Sequence, residues 1–114
     1  METNDAIGAL AALAQATRLD IFRLLVSQGP DGLAASAIAQ KLDLPNATLS
    51  FHLKELAQAS LVSARQEGRF IYYTANYPAM NDLVGFLTEN CCGGKDCGAG
   101  SKPVKRPISK RKTA

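Results

Sequence analysis

Tryptophan is absent from this 114-residue chain, aromatic residues make up only 6%, and there is a single histidine, His52. With no second histidine available, a histidine-based metal site is not expected. No apolar run approaches the ~20 residues that span a bilayer, so no membrane segment is expected either. Cysteine is scarce too. The three present, Cys91, Cys92 and Cys97, are an odd number bunched at one end, unlike the even, spaced set of a disulfide framework. The opening METNDAIGAL is acidic and begins a helical pattern rather than a charged-then-apolar leader, which makes the cytoplasm the expected location.

Charge is present but unevenly spread. Residues 1–90 carry six Lys/Arg against nine Asp/Glu, whereas residues 91–114 carry seven Lys/Arg and only Asp96, giving the net +3. The globular part is therefore mildly acidic, and any positive field facing a polyanion must come from local placement and from the tail. A chain of this length fits one domain plus a tail. Its core is modest, so pairing through a helical interface would help it.

Periodicity orders the elements. Ile7, Leu10, Leu13 and Ala14 predict an amphipathic helix over 5–15. Thr17 is a candidate N-cap for a second helix burying Leu19, Phe22, Leu25 and Val26, stopped by Gly29-Pro30-Asp31-Gly32. Residues 35–42 read as a third helix with Ile38 and Leu42 inward. Asp43-Leu44-Pro45 is the turn, and Pro45 suits the first turn of a fourth helix running to about 59. Two β-rich stretches, 62–66 and 70–74, are joined at Glu67-Gly68, and Pro78 opens a last helix ending near Asn90. The order α-α-α-α-β-β-α, mostly helical with a small hairpin, is that of a winged helix-turn-helix. The expected divisions are 1–90 for DNA binding and dimerisation, 91–100 for a cysteine- and glycine-rich inducer segment, and 101–114 for a basic tail with too few apolar residues to order itself.

The fourth helix is the DNA reader in this arrangement. Leu49, Leu53 and Leu56 form an inward stripe. Opposite them lie Ala47, Ser50, Phe51 and Lys54, with Asn46 and Thr48 at the N-terminal end. Asn46, Thr48 and Ser50 can exchange hydrogen bonds with base edges and phosphates, Phe51 can pack on a thymine methyl, and Lys54 can meet a phosphate. The same face could be an ordinary solvated surface; the hairpin behind it makes the combination more specific. Arg65 and Arg69 flank the hairpin tip, where basic residues reach the minor groove or backbone. His52 sits beside the leucine stripe and is expected to be a hydrogen-bonded packing residue at the core edge.

From Ala14 to about Asn90 the chain resembles the ArsR/SmtB family of small dimeric winged-helix metalloregulators. The resemblance rests on AQATRLDIFRLL, LPNATLSFHLKEL, SLVSARQEGRFIYYT and the closing helix. It implies that first and last helices pair two subunits, that two recognition helices meet successive major grooves of an inverted-repeat operator in double-stranded DNA, and that Asn46, Ala47, Ser50 and Phe51 touch it. Phe51 departs from the polar residue or histidine frequent in relatives. The family's arsenic-binding CVC element is missing, since Ala34 and Ser36 stand in its place. The last helix likewise lacks the histidine-containing ligand pairs of the zinc sensors.

That leaves the cysteines. Thiolates are soft donors, and a soft trivalent centre such as As(III) or Sb(III) takes three of them in a pyramid. Adjacent side chains on an intact helix diverge by about 100°, so Cys91 and Cys92 converge only if the helix frays there, which Gly93 and Gly94 permit. One site per subunit is expected at Cys91, Cys92 and Cys97, with no organic cofactor. Other readings of the same cysteines stay open: redox or persulfide sensing, Zn(II) or Cd(II) with Asp96 or water, a methylated arsenical on two sulfurs, or no function. A phosphate loop of the Cys-x5-Arg type is missing, so no enzyme is expected. The expected function is a homodimeric transcriptional repressor released from its operator by As(III) or Sb(III), controlling a metalloid resistance operon.

Overall fold

Alanine dictates how the first helix packs. In the computed structural model, which describes residues 1–94, helix α1 spans Thr3–Leu13 and buries Ala6, Ala9 and Ala12. The larger Ile7 and Leu10 of the same helix face outward, Ile7 with 59% of its surface accessible. Small side chains on the inner face let the helix backbone come close, and the bulkier residues are left without cover in the single chain.

Helix α2 spans Ala16–Gln28 and buries Ile21, Phe22 and Leu25. It departs from the sequence expectation in two places. The N-cap is Gln15, whose side chain accepts from the Arg18 N–H at 2.9 Å, rather than Thr17. Ile21 takes the inward place assigned to Leu19, which is exposed. A two-residue strand β1, Leu33–Ala34, then precedes helix α3, Ala35–Leu42. It was not legible in the sequence because it has no length of its own: it exists only by pairing with β3.

Helix α4 spans Asn46–Gln58. Pro45 is its N-cap rather than a first-turn residue, with φ −61° and ψ 147°. Strands β2, Val62–Glu67, and β3, Phe70–Ala75, form the hairpin, and the antiparallel sheet order is β1-β3-β2. Glu67 pairs with Phe70, so the turn is Gly68-Arg69, one residue beyond the expected Glu67-Gly68. Gly68 carries φ 64°, the left-handed conformation a two-residue hairpin turn demands at its first central position. Helix α5 spans Tyr77–Leu87 and stops three residues short of Asn90.

The core is made by Ile21, Leu25, Ile38, Leu49, Leu53, Leu56 and Leu61, all essentially inaccessible. Each contributes roughly 1.5–3 kcal/mol by leaving water. Two compact units divide the chain, the first Met1–Val84 and the second beginning at Gly85. Cys97 and the basic tail 101–114 lie outside the described residues.

Candidate nucleic-acid interface

The α3–α4 junction aims the reading helix. Asp43 adopts φ 54°, and the Leu44 N–H donates to the Ala39 carbonyl at 2.9 Å, closing α3 in a left-handed turn before Pro45 starts α4. Leu49, Leu53 and Leu56 bury the inner stripe of α4 as expected. Asn46, Ala47, Thr48, Ser50, Phe51 and Lys54 are all exposed on it, with 57% of Phe51 accessible. Pro45 supplies no side-chain cap and the first turn holds no acidic residue. The amide end of α4 thus carries positive partial charge with nothing of opposite sign in its own first turn, a disposition that suits phosphate. Arg18 of α2 stands 3.8 Å from Glu55 and ties the middle of α4 to the body of the domain.

His52 is buried, with 9% accessible, and its ring meets Phe51 edge-on at 5.5 Å between centroids. The packing role expected of it is what the structure gives. Its Nδ1, however, has no hydrogen-bond partner among the described residues, in contrast to the bonded histidine expected.

The two wing arginines part company. Arg69 lies in the turn itself, exposed at the tip. Arg65 is two residues back from the end of β2, where its Nε donates to Glu67 at 2.7 Å. Its Nη2 donates to the Asp31 carbonyl at 3.3 Å, and its guanidinium lies 5.2 Å from the Tyr72 ring centre. Arg65 is thus held on the wing surface by these contacts, with 45% of its side chain still accessible. Two residues missed from sequence lie beside Arg69: Phe70 and Ile71 are exposed and line, with Ser36, Asn46, Ser50 and Arg69, a cleft of about 310 Å³ between the recognition helix and the wing. Period-2 alternation hinted that one of that adjacent pair would face out; that both do follows from their position at the hairpin end, beyond the core.

Past α5 the backbone does fray, and earlier than expected. Asn90 has φ 58°, and the 3-10 turn Cys91–Gly94 contains left-handed Cys92 and Gly93, with φ 57° and 66°. Cys91 and Cys92 sulfurs come within 3.7 Å. Two thiolates on one tetrahedral ion with metal–sulfur bonds near 2.3 Å stand about 3.8 Å apart, a comparison that applies to this pair only once the disulfide at Cys92 is reduced. Cys91 is exposed, and Cys92 is disulfide-bonded. Among the described residues no three His, Cys, Asp or Glu groups cluster closely enough to hold an ion. The expected third ligand, Cys97, is outside them.

The family model described as a helix-turn-helix domain matches residues 13–64. The chain is 36% identical over 84 residues to the nodulation protein NolR of Rhizobium meliloti, covering 74% of this chain and 66% of that one. It is 33% identical over 76 residues to the transcriptional repressor SdpR of Bacillus subtilis, covering 67% and 81%. Among solved structures, it is similar to the homodimeric winged helix-turn-helix DNA-binding domain of a possible ArsR-family transcriptional regulator from Mycobacterium bovis, at 30% identity and a TM-score of 0.63, covering 76% of this chain and 81% of that one.

Proposed function

This chain belongs to the ArsR/SmtB family of winged helix-turn-helix transcriptional regulators, DNA-binding proteins rather than enzymes, and we propose that it is a homodimeric repressor relieved by a thiophilic metalloid. In this reading Asn46, Ala47, Thr48, Ser50 and Phe51 enter the major groove of each half of an inverted repeat. Lys54 and the wing-tip Arg69 meet phosphates. The dimer forms through the outward apolar residues of α1 and α5, among them Ile7, Leu10 and Val84, whose exposure in the single chain supports an interface there.

As(III) or Sb(III) is the proposed inducer, held by Cys91, Cys92 and Cys97 in the cytoplasm. The observation that supports it is the 3.7 Å approach of the Cys91 and Cys92 sulfurs just past α5, where Asn90, Cys92 and Gly93 are left-handed; reduction of the disulfide at Cys92 frees its sulfur to bind. A trivalent centre with three soft positions supplies the cross-link between thiolates. The backbone at Asn90–Gly93 supplies the convergence that an intact helix denies. Such a ligand weakens DNA binding only by its preference for the non-binding state, typically ~1–3 kcal/mol and more for tight sites. The controlled genes are then those of metalloid resistance.

A redox-responsive repressor is the second reading, favoured by the disulfide at Cys92. Titrating operator-bound protein with arsenite under strict reduction, and separately with oxidant, separates the two. Release by arsenite alone supports metalloid sensing; release that needs oxidant and ignores arsenite overturns it.

A further inference from the structure

The end of the recognition helix and the start of α5 are joined through one side chain. Helix α4 closes with the Ser60 N–H on the Ala57 carbonyl at 3.0 Å and the Leu61 N–H on the Leu56 carbonyl at 3.0 Å. That double closure requires a left-handed residue, normally glycine; here it is Ser60, with φ 63°. A non-glycine residue keeps such a conformation only where its surroundings hold it.

Asn76 does the holding. Its Nδ2 donates to the Ser60 carbonyl at 2.8 Å, and its backbone N–H donates to the Leu61 carbonyl at 2.8 Å. The same side chain turns its Oδ1 to the Ala79 N–H at 3.2 Å, the N-cap bond of α5. One amide therefore caps α5 with its oxygen and fastens the last turn of α4 with its nitrogen. The next residue, Tyr77, donates its hydroxyl to the Val26 carbonyl at 2.9 Å, anchoring the first turn of α5 on α2. This junction leaves the beginning of α5 little freedom to move without carrying the end of α4.

We propose that Asn76 is the positioning residue that couples α5 to the pose of the recognition helix, so that rearrangement of α5 reaches the DNA-reading face through the Asn76–Ser60 bond. The inference rests on the reading of the chain as an inducible repressor. It adds the route, within one subunit, between the helix that leads to the cysteines and the helix that reads DNA.

Asn76→Asp tests it in the full-length dimer. The carboxylate keeps an acceptor for the Ala79 N–H and loses the donor to Ser60, so α5 stays capped while the tether to α4 is cut. Operator affinity without arsenite is expected to fall roughly three- to tenfold, the size of one net hydrogen bond lost. The ratio of affinities with and without arsenite is expected to shrink towards one, while arsenite uptake, read from thiolate absorbance, stays as in the parent. Asn76→Ser, a shorter cap that cannot reach Ser60, is expected to behave alike and serves if the aspartate variant does not fold. Ile21→Val, a core truncation that lowers the melting temperature without touching the junction, should leave the ratio unchanged. Parental affinity and ratio in both Asn76 variants overturn the proposal, as does an equal loss of ratio in Ile21→Val. If the parent itself ignores arsenite, the inducer reading fails, and the affinity drop in Asn76→Asp still decides the positioning role.

Discussion

Arg65 and Glu67 meet at 2.7 Å on the same strand, two residues apart and therefore on the same face of the wing. The pair is exposed and adds little stability by itself. With Asp31 and Tyr72 also engaged, the Arg65 guanidinium braces the hairpin at its surface, whereas Arg69 stands in the turn at the tip.

Salt dependence tells the two arginines apart. Every phosphate that the protein no longer neutralises lowers the slope of log affinity against log salt by about 0.9. Arg69→Ala is expected to reduce the slope by about that amount per subunit, and Arg65→Ala to leave it unchanged. Fluorescence anisotropy on an operator duplex at several salt concentrations measures both.

Gly32 makes a packing prediction. A Cβ there would collide with the Tyr73 carbonyl oxygen, and the φ of 74° is unfavourable for any larger residue. Gly32→Ala should therefore disrupt the β1–β3 pairing and lower stability by more than about 2 kcal/mol, read by urea unfolding.

Dimerisation should depend on the outward face of α1. Ile7→Asp together with Leu10→Asp places charges where apolar side chains are expected to meet a second copy. The fold should persist, because Ala6, Ala9 and Ala12 make the inward contacts. Sedimentation should show monomer, and operator affinity should fall at least about a hundredfold, since two linked half-sites become two separate weak ones.

His52 offers a counter-intuitive case. Its buried Nδ1 has no partner among the described residues, so an apolar replacement removes an unsatisfied group. His52→Leu is expected to be neutral or to raise the melting temperature slightly; a loss of several degrees would mean that the ring makes a bond essential to the fold.

Much of this architecture was written in the periodicity. The leucine stripe of α4 and the alternating strands of the wing each bury one face, and burial is what the pattern encodes. The outward face of α4 followed by subtraction, so the exposure of Asn46, Ser50 and Phe51 was legible. Other features depended on partners distant in sequence. Strand β1 exists only against β3, and Arg65 is diverted by an Asp31 carbonyl 34 positions away. Leu19 and Ile7 face outward because alanines and Ile21 took the closer places, a choice that hydrophobicity alone does not make. The tether at Asn76 was hidden for the same reason: its partner Ser60 lies 16 positions away, and nothing local announces it.

The most direct measurement is an arsenite titration, under full reduction, of operator complexes formed by the parent and by a variant carrying Cys91→Ser, Cys92→Ser and Cys97→Ser. The account requires the parent complex to dissociate as arsenite rises while the serine variant, equally tight on DNA, stays bound. Arsenite-driven release of the variant at the parent's concentrations would contradict it.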